Sequence, residues 1–261
     1  MAGPRLNQAL WKVTYEFLAS KLPVPEWGFM NYGWTSVPPA TDTLELRPAD
    51  EPDRYCIQLY DRVASRVDLT GADVLEVGSG RGGGSSYVKR YLGPATVVGA
   101  DLSLEAVRLC NRYRAFPGLM YVQGDAQALQ FPDATFDAVL NVESSHCYPS
   151  METFLSEVRR VLRPGGHFLF ADFRPNEELT GLHDQLVGSG LEVLEREVIT
   201  PNVVAALELD SDRKRHLIRN MVPGWLQGPF SRFAGIQGSH THEGFRSGRT
   251  QYVRYVARKD A

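Results

Sequence analysis

Between residues 73 and 84 the chain reads Asp-Val-Leu-Glu-Val-Gly-Ser-Gly-Arg-Gly-Gly-Gly, an apolar, β-branched run that ends in a burst of five glycines. A strand that breaks into so tight a turn, with helical spacing from 85 to 91, lets backbone N–H groups approach a ligand with no Cβ in the way. Downstream of the turn, strand and helix alternate, the pattern of a parallel sheet with helices on both faces. The spacing predicts strands at 73–77, 96–100, 119–123, 136–142, 167–171, 191–199 and 252–257. Helices are predicted at 84–92, 103–114, 150–162, 177–188 and 201–220, with a further one over 51–67 leading into the core. Arg163-Pro164-Gly165-Gly166 reads as a breaker that ends the helix before the fifth strand. Roughly fifty residues separate the last two strands, too many for an ordinary loop, so an inserted helical cap is expected.

Ahead of this core, Leu10, Trp11, Tyr15, Leu18 and Leu22 recur at helical spacing, which predicts an amphipathic helix over 7–22. Residues 23–39 are rich in Trp, Tyr, Phe, Gly and Pro, centred on Phe29-Met30-Asn31-Tyr32-Gly33-Trp34. Aromatic loops of this kind pack on a neighbouring core or close over a ligand. The 261 residues therefore divide into a lid (1–70), a nucleotide-binding core (71–200), a helical cap (201–250) and the last core strand (251–261). A formal charge of −3 gives no electrostatic case for nucleic acid or an acidic membrane surface. The three cysteines (Cys56, Cys110, Cys147) are scattered, as expected for reduced thiols in a cytoplasmic protein. No apolar run approaches the roughly 20 residues that span a bilayer.

Gly78, Gly80 and Gly83 satisfy G-x-G-x-x-G, and Asp101 closes the second strand where a carboxylate can take ribose hydroxyls. Both features suit a nicotinamide enzyme as well as any other nucleoside binder. Glu76, two residues before the first glycine, would repel a phosphate but welcome a cation. Gly124-Asp125-Ala126 places an acid and a small residue at a third strand end, where Asp125 suits an adenine edge. Together with Leu162-Arg163-Pro164-Gly165-Gly166, these residues resemble the class I S-adenosylmethionine-dependent methyltransferases over about residues 55–200. The resemblance implies a Rossmann-like α/β fold of seven mostly parallel strands, order 3-2-1-4-5-7-6, with only strand 7 antiparallel. It implies S-adenosyl-L-methionine as cofactor, leaving as S-adenosyl-L-homocysteine. Around it would lie Glu76, Gly78, Ser79, Gly80, Gly82, Asp101, Leu102, Asp125, Ala126, Asn141 and Glu143. Tyr32 is a further candidate, because an aromatic face attracts a sulfonium.

The fourth and fifth strands end in Asn141-Val142-Glu143-Ser144-Ser145-His146-Cys147-Tyr148-Pro149 and Ala171-Asp172-Phe173. Adjacent parallel strands put both ends on the rim where open α/β sheets bind ligands, so His146 and Asp172 can face one substrate. A hydroxyl acceptor must shed its proton as the C–O bond forms, and a carboxylate-oriented histidine is the suitable base. Glu143-Ser144-Ser145-His146 and Asp172 resemble the rebeccamycin-type sugar O-methyltransferases. That family often has a second His followed by Met-Pro, where this chain has Cys147-Tyr148-Pro149. Glu51-Pro52, the triple glycine, Ser145 to Pro149, 171–176 and 233–238 resemble the phthiotriol/phenolphthiotriol dimycocerosates methyltransferases, which O-methylate a lipid hydroxyl.

The reading is an O-methyltransferase of an apolar natural product, glycoside or lipid, with His146 and Asp172 catalytic. The implied partner is a small-molecule or lipid-like acceptor, and a homodimer stays open. Transfer to carbon or nitrogen is the nearest alternative, followed by an NAD-dependent oxidoreductase and a non-catalytic S-adenosylmethionine binder. His240 and His242 lack a third ligand and read as solvated loop histidines, so no metal is expected. Asp212-Arg213-Lys214-Arg215 reads as an exposed helix face.

Overall fold

The structure, a computed structural model, describes residues 27–38 and 44–260, so the helix expected over 7–22 lies outside the described residues. Seven strands form one sheet in the order β3-β2-β1-β4-β5-β7-β6. They are β1 Asp73–Val77, β2 Thr96–Asp101, β3 Leu119–Gln123, β4 Phe136–Val142, β5 Leu162–Pro175, β6 Leu191–Val198 and β7 Thr250–Lys259. β7 runs antiparallel to both β5 and β6, and every other pairing is parallel. The sheet order and the single reversed strand agree with the expectation.

Strand alternation sorts the core into two layers. Val74, Leu140 and Leu169 face α1 (Arg54–Ala64), α2 (Gly83–Tyr91) and the long α6 (Thr200–Met221). Leu75, Val139, Phe168 and Phe170 face α4 (Met151–Val161) and α5 (Leu179–Gly188). α3 (Leu104–Tyr113) follows β2 and packs with the first layer through Val107 and Leu109. Its start is fixed by Ser103, whose hydroxyl accepts from the Ala106 N–H.

Two stretches differ from expectation. α4 ends at Val161, directly before the Arg-Pro-Gly-Gly breaker, but β5 begins at once with Leu162 rather than at 167. The pairing of β4 with β5 jumps from Phe136↔Leu162 to Ala138↔His167, so the element forms a bulged lead-in to the strand. Arg163 uses the bulge to bridge Asp73 (2.9 Å) and Asp137 (2.6 Å), at the start of β1 and within β4. Between β6 and β7 lie α6, α7 (Gly224–Phe233) and α8 (His240–Arg246). His242 on α8 is buried, its Nδ1 accepting from Gly238 N and its Nε2 3.3 Å from Glu208 Oε1, so it is not a solvated loop residue.

Candidate active site

The C-terminal ends of β1, β2, β3 and β4 surround a cavity, on the rim where open α/β sheets bind their ligands. Gly78, Gly80, Asp101, Leu102, Asp125, Ala126 and Glu143 border it, as expected. Asp101 shapes the glycine turn, Oδ2 accepting from Gly80 N (2.7 Å) and Oδ1 from Ser103 N (2.9 Å). Asp125 is held the same way by Gln127 N (2.9 Å). Gly78 has φ +78, and a Cβ there would run into the Ser144 side chain.

A second cavity shares Met30, Gly78, Gly80 and Glu143 with the first and adds Ser79, Tyr32, His146 and Phe173. Ser79 is buried, and its Oγ has no partner among the described residues, so it offers a hydrogen bond to a ligand. Tyr32 borders this cavity, and its ring packs against Phe173 (5.5 Å) and Phe245 (5.3 Å).

Three residues expected at the cofactor border neither cavity. Glu76 shares the face of Val74 by strand alternation and is wholly buried beneath the turn. Its carboxylate accepts from Tyr60 Oη (2.7 Å) and from Ser85 Oγ, and burial, opposed by these bonds, pushes it up to about 7. It does not face a ligand cation. Asn141 staples the end of β4 to β1, its Nδ2 donating to Val77 O (2.8 Å), Ser144 Oγ (2.7 Å) and Tyr148 Oη (3.0 Å). Gly82 caps α2 at φ +79, where a Cβ would meet Tyr121 Oη at 2.8 Å. The rest of the triple glycine also serves packing. Gly83 N donates to Gly28 O (3.0 Å), and a Cβ on Gly84 would fall inside the Tyr60 ring.

On the other wall the structure brings His146 and Asp172 together. His146 lies in a 3-10 turn, Ser145–Cys147, and its Nδ1 is 2.8 Å from Asp172 Oδ1. Asp172 is completely buried on β5. It also accepts from His146 N (2.9 Å), Ser145 Oγ (2.6 Å) and Phe173 N (2.8 Å), with Arg174 Nη1 at 3.1 Å. Burial alone would favour the neutral acid, but His146, Arg174 and these bonds hold Asp172 well below the carboxylate range. Burial likewise disfavours the imidazolium, yet the Asp172 charge outweighs it and holds His146 above the ordinary histidine range. Ser145, Arg174 and Tyr252 were not singled out from the sequence. Arg174 could have been, since it stands two residues after Asp172 on the same strand.

Glu143 closes the floor between the cavities. Its backbone takes φ +50, a strained value for a side-chain-bearing residue. Oε1 accepts from Tyr32 N (2.8 Å) and Tyr252 Oη (2.9 Å), and burial, opposed by those bonds, pushes the group up to about 7.

The profile of a methyltransferase domain matches residues 75–170. Over 251 residues, 96% of this chain and 92% of the relative, the sequence is 40% identical to the phthiotriol/phenolphthiotriol dimycocerosates methyltransferase of Mycobacterium tuberculosis. This chain belongs to the S-adenosylmethionine-dependent methyltransferases. A fatty-acid O-methyltransferase of Mycolicibacterium smegmatis is 39% identical over 257 residues, 98% of this chain and 92% of that one. Among solved structures, the [4+2]-cyclase SpnF superposes with TM-score 0.69 at 21% identity, over 95% of this chain and 94% of its own. A cyclase on the same scaffold shows the fold alone. S-adenosylmethionine is the methyl donor of this methyltransferase, and the oxidoreductase alternative falls away. The donor fits the residues present: a glycine turn open to close approach, an unmet Ser79 hydroxyl, and acids at the ends of β2 and β3. Among the described residues, no helix is long and apolar enough to cross a membrane.

Proposed function

We propose that this methyltransferase O-methylates a hydroxyl on an apolar, lipid-like acceptor, with His146 as general base and Asp172 as its anchor. The observation that carries the reading is the His146–Asp172 pair, whose histidine borders a cavity sharing four residues with the donor cavity. The donor residues would be Gly78, Ser79, Gly80, Asp101, Leu102, Asp125, Ala126 and Glu143, with Asp101 toward the ribose and Asp125 toward the adenine. The segment over 27–38 would act as lid, and the helices between β6 and β7 as cap. A lipid-like acceptor accords with the two relatives, one named for phthiotriol and the other for a fatty acid.

The bound donor supplies a methyl group already activated on a sulfonium. The protein therefore has to align the acceptor, exclude water and take one proton. With Nδ1 of the imidazole held by Asp172, Nε2 is the nitrogen that would take the acceptor's proton. With five donors around it, Asp172 cannot itself become the proton's resting place. Beside Asp172, His146 holds its proton tightly. A neighbouring positive charge disfavours the imidazolium and frees the nitrogen to act as base. An amine acceptor would need no such pair, which favours oxygen over nitrogen.

The test is His146→Ala, assayed on hydroxylated lipid acceptors. Turnover is expected to fall by about 10²–10⁴, with S-adenosylhomocysteine affinity by calorimetry retained. Undiminished turnover would remove the base and leave alignment as the whole mechanism.

A further inference from the structure

A third cavity lies behind the segment 27–31, between it and α6 and α7. Trp27, Phe29, Leu217, Ile218, Val222 and Phe230 give it apolar walls. Phe29, Met30 and Asn31 border both this cavity and the one holding His146, and Met30 borders the donor cavity as well. An unbranched methionine is the side chain best able to yield as a partition.

Two polar groups in this wall are incompletely satisfied. Asn31 is 7% exposed, and its Nδ2 donates to Cys56 O (3.2 Å), which fixes its Oδ1 as the acceptor. That Oδ1 has no partner among the described residues. Lys214, expected on an exposed helix face, is 9% exposed, because the 27–38 segment covers that side of α6. Its ammonium carries three donors but, among the described residues, finds only Tyr32 O at 3.5 Å and Asp210 Oδ2 at 3.7 Å. Asp210 is engaged elsewhere, by both Arg213 Nε (2.6 Å) and Arg213 Nη2 (2.8 Å), and Arg213 reaches Asp53 as well (2.9 Å).

The cluster sets Arg213 and Lys214 against Asp53 and Asp210, with the Arg114 cation also acting on Asp53. A carboxylate entering here could not donate to Asn31, whose bare Oδ1 would repel it. A hydroxyl can do both jobs, donating to Asn31 Oδ1 while accepting from Lys214 Nζ. We infer that the third cavity is an acceptor subsite for an alkyl chain that bears a hydroxyl, read by Asn31 and Lys214. The inference rests on the proposal that the acceptor is apolar and hydroxylated, and it separates a polyol-like lipid from a simple fatty acid.

Binding of decan-1-ol and of decanoate to the full-length protein, followed by calorimetry with S-adenosylhomocysteine present, tests it without turnover. Saturable binding of decan-1-ol is expected, about tenfold or more tighter than decanoate. Lys214→Met should weaken decan-1-ol by about tenfold, the loss of one hydrogen bond to a charged group. Ile218→Trp should abolish its binding by filling the cavity, with S-adenosylhomocysteine affinity unchanged in both variants. Tighter binding of decanoate, or decan-1-ol binding indifferent to Lys214→Met, would overturn the inference. His146→Ala should bind decan-1-ol as the wild type does, so failure of the base and failure of the subsite read out separately.

Discussion

Glu76→Gln offers the sharpest quantitative test of the turn. In the folded protein, burial raises Glu76 to about 7, although Tyr60 and Ser85 both donate to it. In the unfolded chain the same group titrates near 4.3. The folded state therefore binds the extra proton between these values, and stability falls as pH rises through that window. Below about pH 4 the carboxyl is neutral in both states and costs nothing by this route. Above about pH 7 the cost is complete, on the order of 3 kcal/mol. Glutamine keeps the shape, can accept from Tyr60 and can donate to Ser85, and it never ionises. The variant should match the wild type near pH 4 and exceed it by up to about 3 kcal/mol at pH 8. In a chain of this size that raises the melting temperature by roughly 6–12 °C. Urea unfolding at a series of pH values measures it directly. Calorimetry adds a second readout: the carboxylate is engaged by Tyr60 and Ser85, so the preference between S-adenosylmethionine and S-adenosylhomocysteine, which lacks the sulfonium charge, should shift by less than about twofold. A stability gain independent of pH, or a large selective loss of S-adenosylmethionine, would refute the placement of Glu76.

Two further substitutions probe the same framework. Gly84→Ala puts a methyl into the Tyr60 ring and should cost at least about 1–3 kcal/mol by overpacking; an unchanged urea midpoint would mean that Tyr60 does not pack there. Arg174→Met removes a cation 3.1 Å from Asp172, so the carboxylate's full field falls on His146 and its pKa should rise by about one unit. Imidazole resonances followed by NMR, and an alkaline displacement of the rate profile on a hydroxyl acceptor, report it, and Arg174→Lys should largely restore both; a displacement toward acid would reverse the assigned role.

Much of the fold is legible because its signals are local. The β-branched runs of β1 to β4, the glycine turn and the seryl cap of α3 each act within a few residues of themselves. The misread stretches depend on partners far along the chain. Arg-Pro-Gly-Gly breaks α4 as read, but its part in β5 shows only once Asp73 and Asp137 are seen holding its arginine in a bulge. Glu76 looks aimed at a ligand until Tyr60, sixteen residues upstream, is found beneath it. Lys214 looks solvated because nothing near it in sequence reveals that Tyr32 and its neighbours will cover α6. The pairing of His146 with Asp172 could be foreseen from strand adjacency, since β4 and β5 must lie side by side. The third cavity could not, for it is made by the meeting of two segments nearly two hundred residues apart.

Tyr60 occupies the space that Gly84 leaves vacant and donates to Glu76 from there. Gly28 meets Gly83 backbone to backbone on the same shoulder of the turn. The stretch by which the family is recognised, residues 75–170, thus has its first turn completed by side chains and backbone from upstream of it. Excised alone, that stretch would carry every motif of a methyltransferase and still lack the wedge that keeps its nucleotide turn in shape. In this protein the minimal signature is smaller than the minimal folding unit.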